Sequence, residues 1–236
     1  RRYYTGRGPL EAASIGVKLG PEDIAFRLNL VTLQAIGGRV IMEDYSAGHI
    51  STDEGSAMIR DLEKELGDSI FHFYPGVSYR HLLVWRGQVE KIESIETTPP
   101  HDITEQEIGA YLPRGEDAQE LIKLMTETQI LLNAHPINHA RQQEGKREAN
   151  ATWPWGQGRA PRMPSLAERF GLTGGVISAV DLIKGIGIYA GLEVIAVPGA
   201  TGYLDTNYRG KAEYALQALE KGDFIYLPVE APDEAS

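Results

Sequence analysis

Several side chains in this sequence combine a reactive type with a constrained position. His101 and Asp102 form a histidine–carboxylate pair behind Pro99 and Pro100. Such a pair can bind polar ligand groups or move a proton; the plainer alternative is a turn in which Asp102 caps the next few residues. Arg80, in Tyr79-Arg80-His81, follows a glycine turn and enters a strand pattern. A sheet would fix its guanidinium for a carboxylate or phosphate. Arg27 and Asn29 lie on the polar side of an alternating run, either solvated or turned towards a site. Lys184 stands in a mostly apolar helical run, 180–188. It reads as a snorkelling surface lysine or as a cation aimed at a phosphoryl group. Asp233, behind Pro232, fits a helix cap or a hard-metal ligand. Residues 135–162 add Arg141, Lys146, Arg147, Arg159 and Arg162, with Trp153 and Trp155. A bland linker rarely carries such aromatics.

Other signals are weaker. Gly185, Gly187 and Gly191 give G-x-G-x-x-x-G, one residue off the dinucleotide fingerprint. They fall late in a helical run, away from the strand-to-helix turn where a phosphate meets helix amides. His135 and His139 have i,i+4 metal spacing, but Pro136 intervenes and no third ligand is near, so surface histidines are preferred. Asn150-Ala-Thr152 is a glycosylation sequon without secretory context.

The elements that must position these residues follow from periodicity and turn chemistry. A short helix at 10–15 starts behind Gly8-Pro9 and ends at Gly16. Residues 23–33 alternate as a half-buried strand, followed by a second strand at 39–44. Ser51 and Glu54 form a capping box for a helix to Leu66. Runs at 70–74, 80–86 and 89–95 read as a β-meander, and 116–133 as an amphipathic helix. Residues 135–162 are the least regular. A second capping box, Ser165 with Glu168, leads into strand–helix–strand–helix–strand at 175–179, 181–190, 192–197, 207–221 and 224–230. That alternation predicts a parallel sheet, with ligands beyond the carboxyl ends of its strands. The predicted fold class is α/β: part of a parallel-sheet domain (1–22 and 166–236) into which an α+β domain (23–165) is inserted.

At 236 residues there is ample chain for such a core. There is no cysteine, which excludes disulfides and thiolate metal sites and predicts a cytoplasmic protein. No leader or membrane-length apolar run is read. A net charge of −10 argues against nucleic acid as a partner. It leaves room for an anionic small substrate met by a few convergent arginines.

Several strings together resemble one family. These are Tyr3-Tyr-Thr-Gly-Arg-Gly-Pro-Leu-Glu-Ala-Ala, Asp44-Tyr-Ser-Ala-Gly-His-Ile, Tyr74-Pro-Gly-Val-Ser-Tyr-Arg-His and Pro99-Pro-His-Asp. Further along come Trp155-Gly-Gln-Gly, Ile177-Ser-Ala-Val-Asp-Leu-Ile-Lys-Gly, Val197-Pro-Gly-Ala-Thr-Gly-Tyr and Val229-Glu-Ala-Pro-Asp-Glu-Ala. The family is the archaeal-type cofactor-independent phosphoglycerate mutases, within the alkaline-phosphatase-like metalloenzymes. The resemblance implies an isomerase interconverting 2- and 3-phosphoglycerate through a phosphoserine. It also implies two divalent metals (manganese or magnesium) and a substrate-binding domain inserted in the phosphotransfer domain.

By correspondence Asp233 would be a metal ligand and Lys184 would face the transferring phosphoryl group. Arg80, His101 and Asp102 would lie on the substrate side, with Arg159 and Arg27 matched there by local context. The family's nucleophilic serine, an upstream metal-binding aspartate and a histidine four residues past Asp233 have no counterpart in residues 1–236. The resemblance is therefore to the central part of a mutase. These 236 residues alone are expected to hold no metal and to turn over no substrate, with oligomeric state left open. Two rivals stand beside this reading. One is a relative acting on another phosphorylated metabolite, homoserine-kinase-like; the other is a binding module for phosphate or carboxylate without chemistry.

Overall fold

A 13-residue strand, Ile24–Ile36, is the spine on which the larger part of the molecule is built. The computed structural model describes residues 3–229. In chain order the first elements are α1 (Gly8–Ser14), β1 (Ile24–Ile36), β2 (Arg39–Asp44), α2 (Thr52–Leu66), β3 (Phe71–Val77) and β4 (Arg80–Trp85). Three 3-10 turns come next at Val89–Ser94, Pro100–Ile103 and Ile108–Ala110, then α3 (Ala118–Asn133), α4 (Pro136–Gln143) and β5 (Ala151–Gly158). The remainder is α5 (Leu166–Phe170), β6 (Gly174–Val176), α6 (Asp181–Tyr189), β7 (Glu193–Val194), α7 (Tyr208–Leu219) and β8 (Phe224–Tyr226).

Contacts divide the chain into two units. The antiparallel unit comprises Thr5–Pro9 and Leu19–Ala160; the other, parallel unit includes Leu10–Lys18 and the described residues from Pro161 onward.

In the antiparallel unit β1 pairs with β2, β4 and β5, and β4 pairs in turn with β3, all antiparallel. Strand periodicity sorts β1 cleanly. Ile24, Phe26, Leu28 and Leu30 enter a core with Met58, Ile59 and Leu62 of α2, Leu83 and Trp85 of β4, and Leu121 and Leu124 of α3. Val31 and Leu33 join a second core with Met42, Ile103, Met125, Trp153 and Trp155. Both faces of β1 are therefore buried, including Arg27 and Asn29, where a half-buried strand with a wet polar side was expected.

Two further expectations give way here. Residues 89–94 form a 3-10 turn instead of a third meander strand. Strand β4 is already paired on both edges, and the polar side chains of the turn find partners near α3 instead: Lys91 bonds Glu120, and Ser94 bonds Asp117. The irregular stretch at 135–162 contains a helix and the strand β5. Pro154 and Gly156 hid that strand. Its recorded pairing is to β1, and a proline on an edge strand forfeits little of the ladder.

The parallel unit has a sheet of order β7-β6-β8, both pairings parallel. Its strands are shorter than their apolar runs suggested, with two or three register pairs each. Pro198 and Pro228, which donate no amide, come soon after the last paired residues of β7 and β8. The glycines of α6 have a packing role. A Cβ on Gly185 would strike the carbonyl of Leu10 in α1, and one on Gly187 would strike Val176 of β6. Both predicted capping boxes are formed, Ser51–Glu54 and Ser165–Glu168.

Candidate functional site

Register alone brings the first pieces together. Arg27 lies opposite Trp155, and Asn29 lies between Trp153 of β5 and Arg80 of β4. Opposed residues of an antiparallel sheet share a face, so Arg27, Asn29, Arg80 and Trp155 stand on one side. The indole N–H of Trp155 donates to Asn29 Oδ1 at 3.0 Å, and Arg27 Nε donates to the same oxygen at 3.3 Å. Asn29 Nδ2 then donates to the Tyr45 carbonyl at 3.0 Å, tying the loop after β2 to the sheet. Asn29 is 1% exposed, and its three bonds make it the joint of the site.

Trp155 is also a platform for charge. The Arg27 guanidinium lies 5.2 Å from its ring centroid and that of Arg7 lies 5.3 Å away. Arg7 arrives on the segment 5–9, which crosses β5 so closely that a Cβ on Gly6 would meet the Gln157 carbonyl. A guanidinium lying against an indole gains cation–π attraction.

His101 stands edge-on to Trp155, with centroids 5.2 Å apart. Its loop is pinned to β5: Trp153 Nε1 donates to the Thr98 carbonyl at 2.8 Å and Gly156 N–H donates to Thr97 Oγ1 at 3.2 Å. Asp102 comes next within the same 3-10 turn, its Oδ1 3.6 Å from His101 Nε2. Both side chains of the pair are exposed.

From His101 a chain of rings continues to Tyr45 (6.1 Å), Tyr79 (5.8 Å from Tyr45) and His49 (6.0 Å from Tyr79). Arg80 lies over Tyr79 at 5.5 Å. Burial, with Tyr79 and Asp44 close by, pushes the Tyr45 hydroxyl above its ordinary pKa, so it stays a protonated donor. Behind the sheet face, His81 accepts from Gly76 N–H at 3.1 Å. Burial and the Arg27 charge lower its pKa to about 3, so it is neutral and not an acid–base candidate near pH 7.

Among the expected site residues, the structure thus brings Arg27 and His101 to Trp155, with Asp102 beside His101 and Arg80 reached from His101 through the rings of Tyr45 and Tyr79. Arg159, just past β5, is exposed, and its carbonyl accepts from the Thr5 hydroxyl at 2.6 Å. Lys184 belongs to the parallel unit, where its ammonium pairs with Asp181 Oδ1 at 3.2 Å one turn away. Asp233 lies outside the described residues. Among those residues no group of three or more His, Asp or Glu side chains is placed to hold a metal ion. The described residues thus offer no place for the implied metals. No helix there is long and apolar enough to cross a membrane.

Arg7, Tyr45, Tyr79 and His49 were not singled out as site residues from the sequence, and Asn29 and Trp155 were noted without a committed role. The available signal was the i, i+2 spacing of Arg27-Leu-Asn29 and Trp153-Pro-Trp155, which places each pair on one face of a strand.

Comparison with known proteins adds a family. Residues 1–138 match the model described as 2,3-bisphosphoglycerate-independent phosphoglycerate mutase. The whole chain is 58% identical to a probable mutase of that name from Geobacter sulfurreducens, of which it spans 58%. Over 99% of its length it is 53% identical to the Methanosarcina acetivorans enzyme of the same name, spanning 57% of it. The chain thus spans little more than half the length of these curated relatives. Among solved structures, a Thermoplasma acidophilum cofactor-independent phosphoglycerate mutase matches with a TM-score of 0.61. Its identity is 27%, with 96% of this chain and 60% of that chain covered. A Pyrococcus horikoshii protein matches with a TM-score of 0.76 and 25% identity, over 99% of this chain and 53% of that one.

Proposed function

The chain belongs to the 2,3-bisphosphoglycerate-independent phosphoglycerate mutase family, and on that premise we propose that its antiparallel unit binds the substrate of a phosphoglycerate mutase. The ligand is a small acid with a phosphate and a carboxylate. It calls for planar cationic donors on more than one side. The observation that supports this reading is the convergence of Arg7 and Arg27 on Trp155, with His101 edge-on to the same ring. In this reading Arg27 and Arg7 meet the anion, and Arg80 and Arg159 lie at its rim. His101, oriented by Asp102, donates to an oxygen of the substrate or moves a proton there. Lys184 is assigned to the transferring phosphoryl group and Asp233 to a metal ligand.

The same proposal gives residues 23–165 the role of substrate-binding domain, and residues 1–22 with 166–236 that of a partial phosphotransfer domain. To a family-length enzyme it gives a phosphoserine route with two divalent cations, manganese or magnesium, which would polarise the moving phosphoryl group. A cytoplasmic location, suggested by the lack of cysteine, completes it.

The test is an assay of a family-length protein carrying this sequence. It is supplied with 3-phosphoglycerate in one reaction and with homoserine plus ATP in another. Formation of 2-phosphoglycerate, and no ADP in the second tube, is the expected result. The reverse pattern replaces the mutase reading by a kinase one.

A further inference from the structure

The loop after β2 is wound in an unusual sense. Ala47, Gly48 and His49 have φ of 50°, 64° and 51°, three successive residues in the left-handed region. Two of them carry side chains, and for L residues that region is disfavoured because Cβ crowds the following carbonyl. Such a turn persists only where its surroundings over-determine it.

Here the surroundings do so. Asp44 Oδ1 accepts from the Ser46 amide at 2.7 Å and from its hydroxyl at 2.6 Å, and Oδ2 accepts from the Gly48 amide at 3.2 Å. These bonds, and Arg147 alongside, outweigh burial and hold the Asp44 carboxyl below its usual pKa. Arg147 Nη1 donates to Asp44 Oδ2 at 2.8 Å. At the centre is Arg141, only 3% exposed. Its Nη2 donates to the Ala47 carbonyl at 2.8 Å, its Nε to the Arg147 carbonyl at 2.8 Å, and its Nη1 to Glu54 Oε2 at 3.0 Å. One planar fork thus grips the left-handed turn, the residue that braces Asp44, and the capping box of α2. A lysine could reach any one of these partners but has no fork to hold all three.

The turn has a consequence for the site. Its two ends carry Tyr45 and His49, and both rings reach Tyr79, at 5.8 and 6.0 Å. Tyr45 also meets His101. The left-handed course through 47–49 is the one that brings His49 to the ring that Tyr45 touches.

We propose that Arg141 is a positioning residue: by holding residues 44–49 in a left-handed turn, it sets Tyr45 and His49 as the wall of the anion site beside His101 and Tyr79. The role of that wall in binding rests on the proposed function; the positioning itself does not.

The experiment therefore reads the two separately. In the 236-residue chain with labelled aromatic rings, proton–proton cross-peaks are expected for Tyr45–Tyr79, His49–Tyr79 and Tyr45–His101. Phe26–Trp85, 6.5 Å apart in the core, serves as the control. Arg141→Met is expected to lose the three loop cross-peaks and keep the control, and to weaken 3-phosphoglycerate binding at least tenfold. Arg141→Lys, which keeps the buried charge opposite Glu54, is expected to lose the same cross-peaks and decides the matter if Arg141→Met fails to fold. Loop cross-peaks retained in the folded variants, or missing from the unaltered chain, overturn the proposal. If the unaltered chain shows the cross-peaks but does not bind 3-phosphoglycerate, the substrate reading fails, and the variants still judge the positioning.

Discussion

His81 shows what burial does to a single titratable group. It is 2% exposed, and burial together with the Arg27 guanidinium sets its pKa at about 3. In the unfolded chain an ordinary histidine takes up its proton near pH ~6.5. The unfolded state therefore binds more protons between these values, so stability is fully present above the unfolded pKa and falls as pH drops towards the folded one. From pH 7 to pH 5 the antiparallel unit should lose about 2 kcal/mol from this group. The buried carboxylates Asp44 and Asp23 and the half-buried Glu54 have folded pKa values below the ordinary range, so their losses come at lower pH. Urea denaturation at the two pH values, with His81→Leu as comparison, checks the claim. An equal loss in the variant would show that another group is responsible. At this scale the sequence was half legible. Arg27, Arg80, His101 and Asp102 were identifiable by type and local context. The joint that assembles them, Asn29 with Trp155, depends on strand register, which no local pattern reveals until β5 is recognised.

At the scale of elements, legibility tracked chemistry that is local. Both capping boxes are read from residues three apart, and both form. The errors lay where partners are distant. Pro154 and Gly156 break a strand pattern, yet β5 lies against β1 over most of that strand's buried length. Val89, Ile92 and Ile95 recur every third residue, the period of the 3-10 turn that forms. Strand β4, which a meander would have joined, is paired on both edges. The glycines of α6 make a prediction here. Gly185→Ala places a methyl group against the Leu10 carbonyl, where backbone must shift to make room. It should destabilise the parallel unit by about 1–3 kcal/mol, the usual range for overpacking. Because the contact lies within that unit, hydrogen exchange in α1, α6 and β6 should accelerate, while amides of β1 and β4 keep their protection. Uniform acceleration in both units would contradict the division of contacts.

At the scale of the whole molecule, the alternation of strands and helices after residue 174 was enough to predict a parallel sheet, and the strings quoted for the family were enough to predict the family. The chain is a mixed α/β protein with a parallel three-stranded sheet in one unit and an antiparallel five-stranded sheet in the other. The central claim is that the antiparallel unit recognises phosphoglycerate through the cluster on Trp155. It is tested most directly by calorimetric titration of the 236-residue chain with 3-phosphoglycerate, beside Arg27→Lys, His101→Ala and the control Arg209→Ala. Arg209 is an exposed side chain of α7, paired with Glu213 and remote in role from the cluster. The account predicts binding by the unaltered chain and the Arg209 control. It predicts affinity at least tenfold weaker, about 1.4 kcal/mol, in each cluster variant. No binding by the unaltered chain, or equal affinity in all four proteins, would contradict it.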